Sequence, residues 1–337
     1  MGRGGPAGHR RGGLLLTRVP DLPPAGPSPP GDAERPDDLR RAAPVLLLAS
    51  LGTSSGAVLV RLAAAPAPVT AFWRLGLAIV ALLPVLVLTG GWREWRRLPR
   101  RDVGLLAVAG AGLALHLIAW FRSLEYTSVA SSTVLVSTTP IFVGALSAWW
   151  LRESPDRAEW VGLLLAVAGA ACIGWGDLGG GRDPLLGDLL AVSAAVLGAI
   201  YFVLGRRLRA GLGIWAYAVP VYAAAAAVCA GAAVAAGDPF GGWPAGTWVA
   251  FAGLALGPTL LGHTGFNWAL RHVRAYVVGV VQLLEPLGAT LLAILVLGGK
   301  EVPAVTTLVG GAGILGGVWL SVRARARAGP PPAVTRI

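Results

Sequence analysis

The chain has 337 residues, of which 55% are hydrophobic and 13% charged, with a formal net charge of +11. A water-soluble chain of this length needs far more charge to cover its surface, whereas a bilayer solvates apolar side chains directly, so an ordinary soluble domain is excluded. The excess of arginine does not point to nucleic acid either. It falls in short clusters between apolar runs, where basic residues set membrane topology.

Residues 1–43 form a Gly/Pro/Arg-rich tail without hydrophobic periodicity and are expected to be disordered and cytoplasmic. Leu14-Leu15-Leu16 is too short for a signal-peptide core, so the first membrane segment is expected to direct insertion. A start codon assigned too far upstream is the competing account of this tail.

From Pro44 onward ten apolar runs of roughly 20 residues follow, the length that spans a hydrocarbon core. They are 44–62, 67–89, 103–122, 127–150, 158–176, 185–205, 213–236, 247–270, 275–297 and 302–322. They group into two five-helix units, 44–176 and 185–322, followed by a basic cytoplasmic tail over 323–337. Cys172 and Cys229 lie in separate runs with no CxxC and no histidine at metal-binding spacing, so no disulfide, metal or cofactor is expected.

The loops between the runs carry charge unevenly. With the N-terminus inside, eighteen Lys and Arg residues fall on the cytoplasmic side and only Arg61, Arg122, Arg182 and Lys300 on the other. Both termini are therefore expected in the cytoplasm, with the protein in the plasma membrane. Tryptophans such as Trp92, Trp95, Trp149, Trp243 and Trp319 fall near the run ends, where amphipathic rings favour the headgroup layer.

The second unit repeats the first. Residues 120–140 recur as 266–286, an offset of 146, with Trp120, Phe121, Leu124 and Pro140 opposite Phe266, Asn267, Leu270 and Pro286. Glycine pairs seven apart, Gly162 and Gly169, then Gly310 and Gly317, follow each copy. Five runs per copy is an odd number, so the second copy must cross the membrane in the opposite sense. The expected fold is an all-α polytopic membrane protein, ten transmembrane helices arranged as two inverted-topology repeats, and such halves can exchange conformations to give alternating access.

Pro140 and Pro286 each free the carbonyl four residues earlier, at Val136 and Gln282, and so break their helices near mid-depth. The freed carbonyls can serve substrate or water, or be satisfied by a neighbouring hydroxyl. Glu285 precedes Pro286; a carboxylate at that depth costs about 2.5–3.5 kcal/mol, so it should face the interior as a substrate contact or a proton-coupling group, or tie down the broken helix. Arg74 either snorkels to the interface or faces the cavity, where it would attract carboxylates or pair with Glu285. His116 and His263 stand 147 apart and could relay protons, bind substrate or simply bond between helices. Trp120, Asn267 and Gln282 complete a mixed aromatic and polar lining. Ser137, Thr138 and Thr139 could bond back to their own helix. The GxGxxG string Gly311–Gly316 follows no strand and lies inside an apolar run, so it reads as helix packing and not as a dinucleotide site.

Gly187-Asp188-Leu189-Leu190 running into Tyr201-Phe202-Val203-Leu204-Gly205-Arg206-Arg207, Arg74, the proline halves ending at Arg152-Glu153 and Lys300-Glu301, and the two glycine pairs together resemble the EamA-type family of the drug/metabolite transporter superfamily. The resemblance covers about 44–322. It implies a ten-helix carrier exporting amino acids or other small metabolites from a central cavity, with protons as a candidate coupling ion. Glu153 and Glu301 match the acidic residue that commonly follows spans 4 and 9 in the family. A nucleotide-sugar or drug carrier of the same superfamily is the nearest alternative, and a homodimer stays open. An intramembrane enzyme would need a nucleophile with a base or an HExxH, and a channel would need a selective loop; neither pattern occurs.

Overall fold

The computed structural model describes residues 36–174, 181–296 and 305–327, and every regular element in them is helical. The tail before residue 36, the Lys300-Glu301 turn and the last ten residues lie outside the described residues. In chain order the helices are α1 Pro36–Ser54, α2 Gly56–Ala63, α3 Ala67–Leu88, α4 Arg100–Tyr126, α5 Val129–Val136, α6 Thr139–Leu146, α7 Arg157–Gly174, α8 Pro184–Arg209, α9 Ile214–Ala236, α10 Ala245–Leu254, α11 Thr264–Ala269, α12 Ala275–Gln282, α13 Glu285–Val296 and α14 Val305–Arg327. A 3-10 helix covers Gly91–Arg97, and π-helical segments cover Ser147–Leu151 and Ala255–His263. Seven segments among the described residues are long and apolar enough to cross a membrane.

Several boundaries differ from the sequence expectation. Helix α1 starts at Pro36, within the stretch expected to be disordered, because Leu39, Ala42 and Leu46 already pack into the core and extend the helix backward. The breaks read from Pro140 and Pro286 take the form of short gaps: α5 stops at Val136 and α6 resumes at Thr139, while α12 stops at Gln282 and α13 resumes at Glu285. The run 247–270 is also not one α-helix, since its middle turns are π-helical around Pro258.

The two copies pack reciprocally. Helix α4 lies on α8, and the matching helix of the second copy, the π segment with α11, lies on α1. Helices α3 and α9 pair with each other, as do α7 and α14. The last pair runs antiparallel, for Glu159 O accepts from Ser321 Oγ at 2.8 Å at one end and Cys172 Sγ reaches Thr306 O at 3.5 Å at the other. Between these points a Cβ on Gly162 would meet Gly317 O at 2.6 Å and one on Gly169 would meet Gly310 O at 2.6 Å, so the expected glycine pairs are where the two backbones touch. Exchanging the copies turns one of these contacts into the other.

The connections collect at two ends. At the first, Trp95 Nε1 donates to Ala216 O at 2.9 Å and Gly213 N to Glu94 Oε2 at 2.8 Å. At the second, Asp183 N donates to Tyr126 O at 3.0 Å, Trp73 Nε1 to Phe240 O at 2.8 Å and Thr247 Oγ1 to Ala63 O at 2.9 Å. Large apolar side chains such as Leu88, Val80, Leu185 and Val249 point outward, as a lipid-facing surface requires.

Candidate functional site

The two proline breaks face one another across a narrow cavity. It is lined by Thr133, Val136, Ser137 and Thr139 from the first copy and by Gly279, Gln282, Leu283 and Glu285 from the second. Each of these four pairs is separated by the same 146 residues as Pro140 and Pro286, so the cavity sits where the copies meet on equivalent faces. Gly279 is needed there because a Cβ would press on Pro140, its atoms 3.2–3.4 Å away. Trp120 closes one side, and the space has room for about one or two water molecules.

The two breaks are held by different carbonyl contacts. Val136 O is taken by Thr139 Oγ1 of its own helix at 2.6 Å, which satisfies the carbonyl locally and removes it as a substrate contact. In the second copy Val281 O accepts from Ser50 Oγ at 3.1 Å and Glu285 O from Ser54 Oγ at 3.1 Å, so α1 clamps that break. Glu285 opens α13, where a carboxylate complements the helix N-terminus, and its side chain lies beside Thr53 and Gln282.

Behind the cavity lies a buried polar layer. Arg74 on α3 is only 1% exposed, so it does not snorkel. Its Nε donates to Thr259 Oγ1 at 2.7 Å, its guanidinium lies 6.0 Å from the Phe121 ring, and Nη1 has no partner in the protein. The expected pairing with Glu285 is not a direct ion pair: Glu285 is within electrostatic reach, as are Tyr201, Tyr222 and Cys229, but the hydrogen bond goes to Thr259. The π segment makes this arrangement. Thr259 donates its hydroxyl proton to Leu254 O, five residues back, at 2.9 Å, which leaves an oxygen lone pair for Arg74.

His116 and His263 come together from α4 and the π segment, ring centroids 6.3 Å apart. His116 Nδ1 donates to Ala194 O at 2.8 Å, an approach that Gly198 permits, since a Cβ there would lie 2.9 Å from that nitrogen. His116 also stacks against Trp120, and His263 packs against Tyr201 with centroids 5.8 Å apart and the rings tilted by 53°. Asn267 Nδ2 donates to Tyr201 Oη, and Tyr222 Oη and Thr264 Oγ1 share a hydrogen bond at 2.9 Å. His263 Nδ1, Asn267 Oδ1, Trp120 Nε1, Tyr217 Oη and Gln282 Oε1 are buried without a protein partner. Unpaired polar atoms cost free energy at membrane depth, so these five need a partner from outside the protein, water or solute.

The candidate positions therefore fall in one region: Glu285, Gln282, Trp120 and Pro140 line the cavity, Pro286 follows Glu285 in the chain, and Arg74, His116, His263 and Asn267 lie in the adjoining layer. Sequence reasoning missed Tyr201, Tyr217, Tyr222 and Thr259. The repeat register points near one of them, since Tyr217 lies within a turn of the position equivalent to Arg74 on the paired helices α3 and α9.

A multi-pass helical protein made of two packed copies, with a polar cavity where they meet, has the build of a membrane transporter. The chain belongs to the EamA-like transporter family, which matches residues 40–175 and 185–323, one match per copy. It is 33% identical to a riboflavin transporter of Vibrio cholerae over 42% of this chain and 46% of that protein. It is 26% identical to a probable terminal-alkyne amino-acid exporter of Streptantibioticus cattleyicolor over 73% of this chain and 81% of that one. A solved crystal structure superposes with a TM-score of 0.72 over 86% of this chain and 98% of its own, at 21% identity, a likeness of fold. The chain spans less than half the length of the first curated relatives it matches.

Proposed function

We propose that this transporter is a secondary exporter of small metabolites bearing a carboxylate, amino acids among them, working by alternating access between two inverted five-helix repeats. The observation that carries the reading is the cavity lined by four repeat-equivalent pairs, because a site on the axis relating the copies stays in place while the copies exchange conformations. The antiparallel, reciprocal contact of α7 with α14 supports inversion, since a two-fold axis in the membrane plane turns equivalent helices end over end. Ten spans with both termini cytoplasmic accord with the loop arginines, which gather at the end marked by Glu94, Glu153 and Arg206.

Arg74 Nη1 offers a charged donor to a carboxylate, while Asn267 Oδ1 and Gln282 Oε1 offer acceptors to an ammonium group. Relatives named as an amino-acid exporter and a riboflavin transporter support a small organic solute. Glu285, within electrostatic reach of Arg74, is the candidate proton-coupling residue. In proteoliposomes Glu285→Gln should insert normally yet lose or uncouple flux; full retained flux removes Glu285 from the mechanism. Reporters fused after Arg207 and after Asp238 should read cytoplasmic and external, and the reverse result overturns the orientation.

A further inference from the structure

We propose that the Glu153–Arg206 ion pair is a latch that seals one end of the transporter and must part when that end opens. This rests on the alternating-access reading. Arg206 Nε and Nη2 both donate to Glu153 Oε1, at 3.1 and 3.0 Å, and Nη1 donates to Leu270 O at 2.8 Å. One guanidinium thus ties the chain after α6 in the first copy to α8 and to the end of α11 in the second. The two side chains are only 18% and 20% exposed, so water screens the pair less than a free surface bridge. The backbone is bent to present the acid: Arg152 takes φ 57° at the end of the Ser147–Leu151 segment, and Glu153 N donates to Ser147 O at 3.1 Å. A bulky residue in the left-handed region is costly and persists only where its surroundings hold it.

The repeat supplies the second half of the argument. Arg61 closes α2 as Arg206 closes α8, 145 residues apart, and Arg61 Nη2 reaches Leu124 O, the repeat mate of Leu270. The same arginine-to-carbonyl contact therefore occurs at both ends. At the Arg206 end it is 2.8 Å and clasped by a carboxylate; at the Arg61 end it is 3.5 Å and the arginine is exposed, while Glu301, the acid that matches Glu153, lies outside the described residues. The closer arginine-to-carbonyl contact at the Arg206 end is what a carrier sealed at that end and looser at the other requires.

The test uses the full chain in sided vesicles, with Ser137→Cys as a probe in the cavity on a Cys172→Ser, Cys229→Ser background, and a membrane-impermeant maleimide applied to either face. The parent should label faster from the Arg61 end. Glu153→Gln and Arg206→Gln should each raise relative labelling from the Arg206 end about tenfold, and the exchanged pair Glu153→Arg with Arg206→Glu should return it to within about twofold of the parent. Glu153→Asp, which keeps the charge but not the reach, should move the ratio the same way by a smaller factor. Parental ratios in the single variants, or an exchanged pair as open as they are, overturn the latch. Equal labelling of the parent from both faces overturns sided access itself, a different failure from that of the latch.

Discussion

Thr259→Val keeps the outline of the side chain and removes the oxygen that receives the Arg74 Nε–H at 2.7 Å. Arg74 is almost fully buried and Nη1 already lacks a protein partner, so the substitution leaves a second charged donor without an acceptor. A hydrogen bond to a charged group is worth about 1.5–3 kcal/mol, and the lost bond from Thr259 to Leu254 O adds about 1 kcal/mol. We expect Thr259→Val to destabilise the fold by about 2–4 kcal/mol and Thr259→Ser to stay within about 1 kcal/mol of the parent. Combining Thr259→Val with Arg74→Met separates the two contributions: the double-mutant cycle should give a coupling of about 1.5–3 kcal/mol. The assay is reversible unfolding in mixed detergent micelles followed by tryptophan fluorescence. A coupling below about 0.5 kcal/mol refutes the view that Thr259 holds the guanidinium in place.

Leucine at Gly162 or Gly169 drives side-chain atoms into the backbone of α14 and should cost about 1–3 kcal/mol or abolish the monodisperse peak in size exclusion. Leucine at Gly76, where a Cβ meets nothing within 4 Å, should run as the parent does, and equal behaviour of the three variants refutes the contact. In the loop between α11 and α12, partial burial holds the His272 imidazole below the ordinary histidine range; Asp38 opposes this, and Arg209, Arg271 and Arg206 add to it. The folded state then prefers the neutral ring, so this stabilisation is complete above the unfolded value of about 6.5 and is lost as pH falls through it toward the folded pKa. His272→Gln should flatten the acid limb of the stability profile between about pH 7 and 5, and an unchanged slope contradicts the assignment.

The offset of 146 residues, readable from matched prolines, carried most of the architecture. It predicted that Pro140 and Pro286 occupy equivalent places; that the glycine pairs touch and that both copies line the cavity became visible only in the structure. Burial of Arg74 was left open in the sequence because an arginine two turns into an apolar run can extend either way, and only Thr259 on a distant helix decides which. Thr259 itself was invisible for a physical reason. A π segment leaves no periodic signature, and a hydroxyl four residues from a histidine in an apolar run looks like helix filling. Tyr201, Tyr217 and Tyr222 were hidden likewise, since a tyrosine in a membrane run serves equally as core or lining. The Glu153–Arg206 bridge joins residues 53 apart, beyond any local pattern, although the repeat that pairs Leu124 with Leu270 points straight at it.

Symmetry also sharpens what is unequal between the copies. At the cavity the first copy contributes Val136 and Thr139 where the second contributes Gln282 and Glu285. Thr139 spends its hydroxyl on its own broken helix, so the first copy faces the space with little hydrogen-bonding capacity to spare. The second copy leaves Gln282 Oε1 unpaired and brings a carboxyl group to the wall. The opposing charge comes from the first copy, as Arg74 on α3, where the same offset of 146 puts Pro220 in the second. Arg74 of the first copy and Glu285 of the second are thus the ionisable groups that flank this space, and insertion scales set about 2.5–3.5 kcal/mol against each in its charged form. Under the proposed alternating access, a rocking motion of the copies would change the distance between Arg74 and Glu285, and with it the energy of any proton or carboxylate lying between them. In a framework this symmetric, that unequal placement of charge is what can make the two ends of the transport cycle differ.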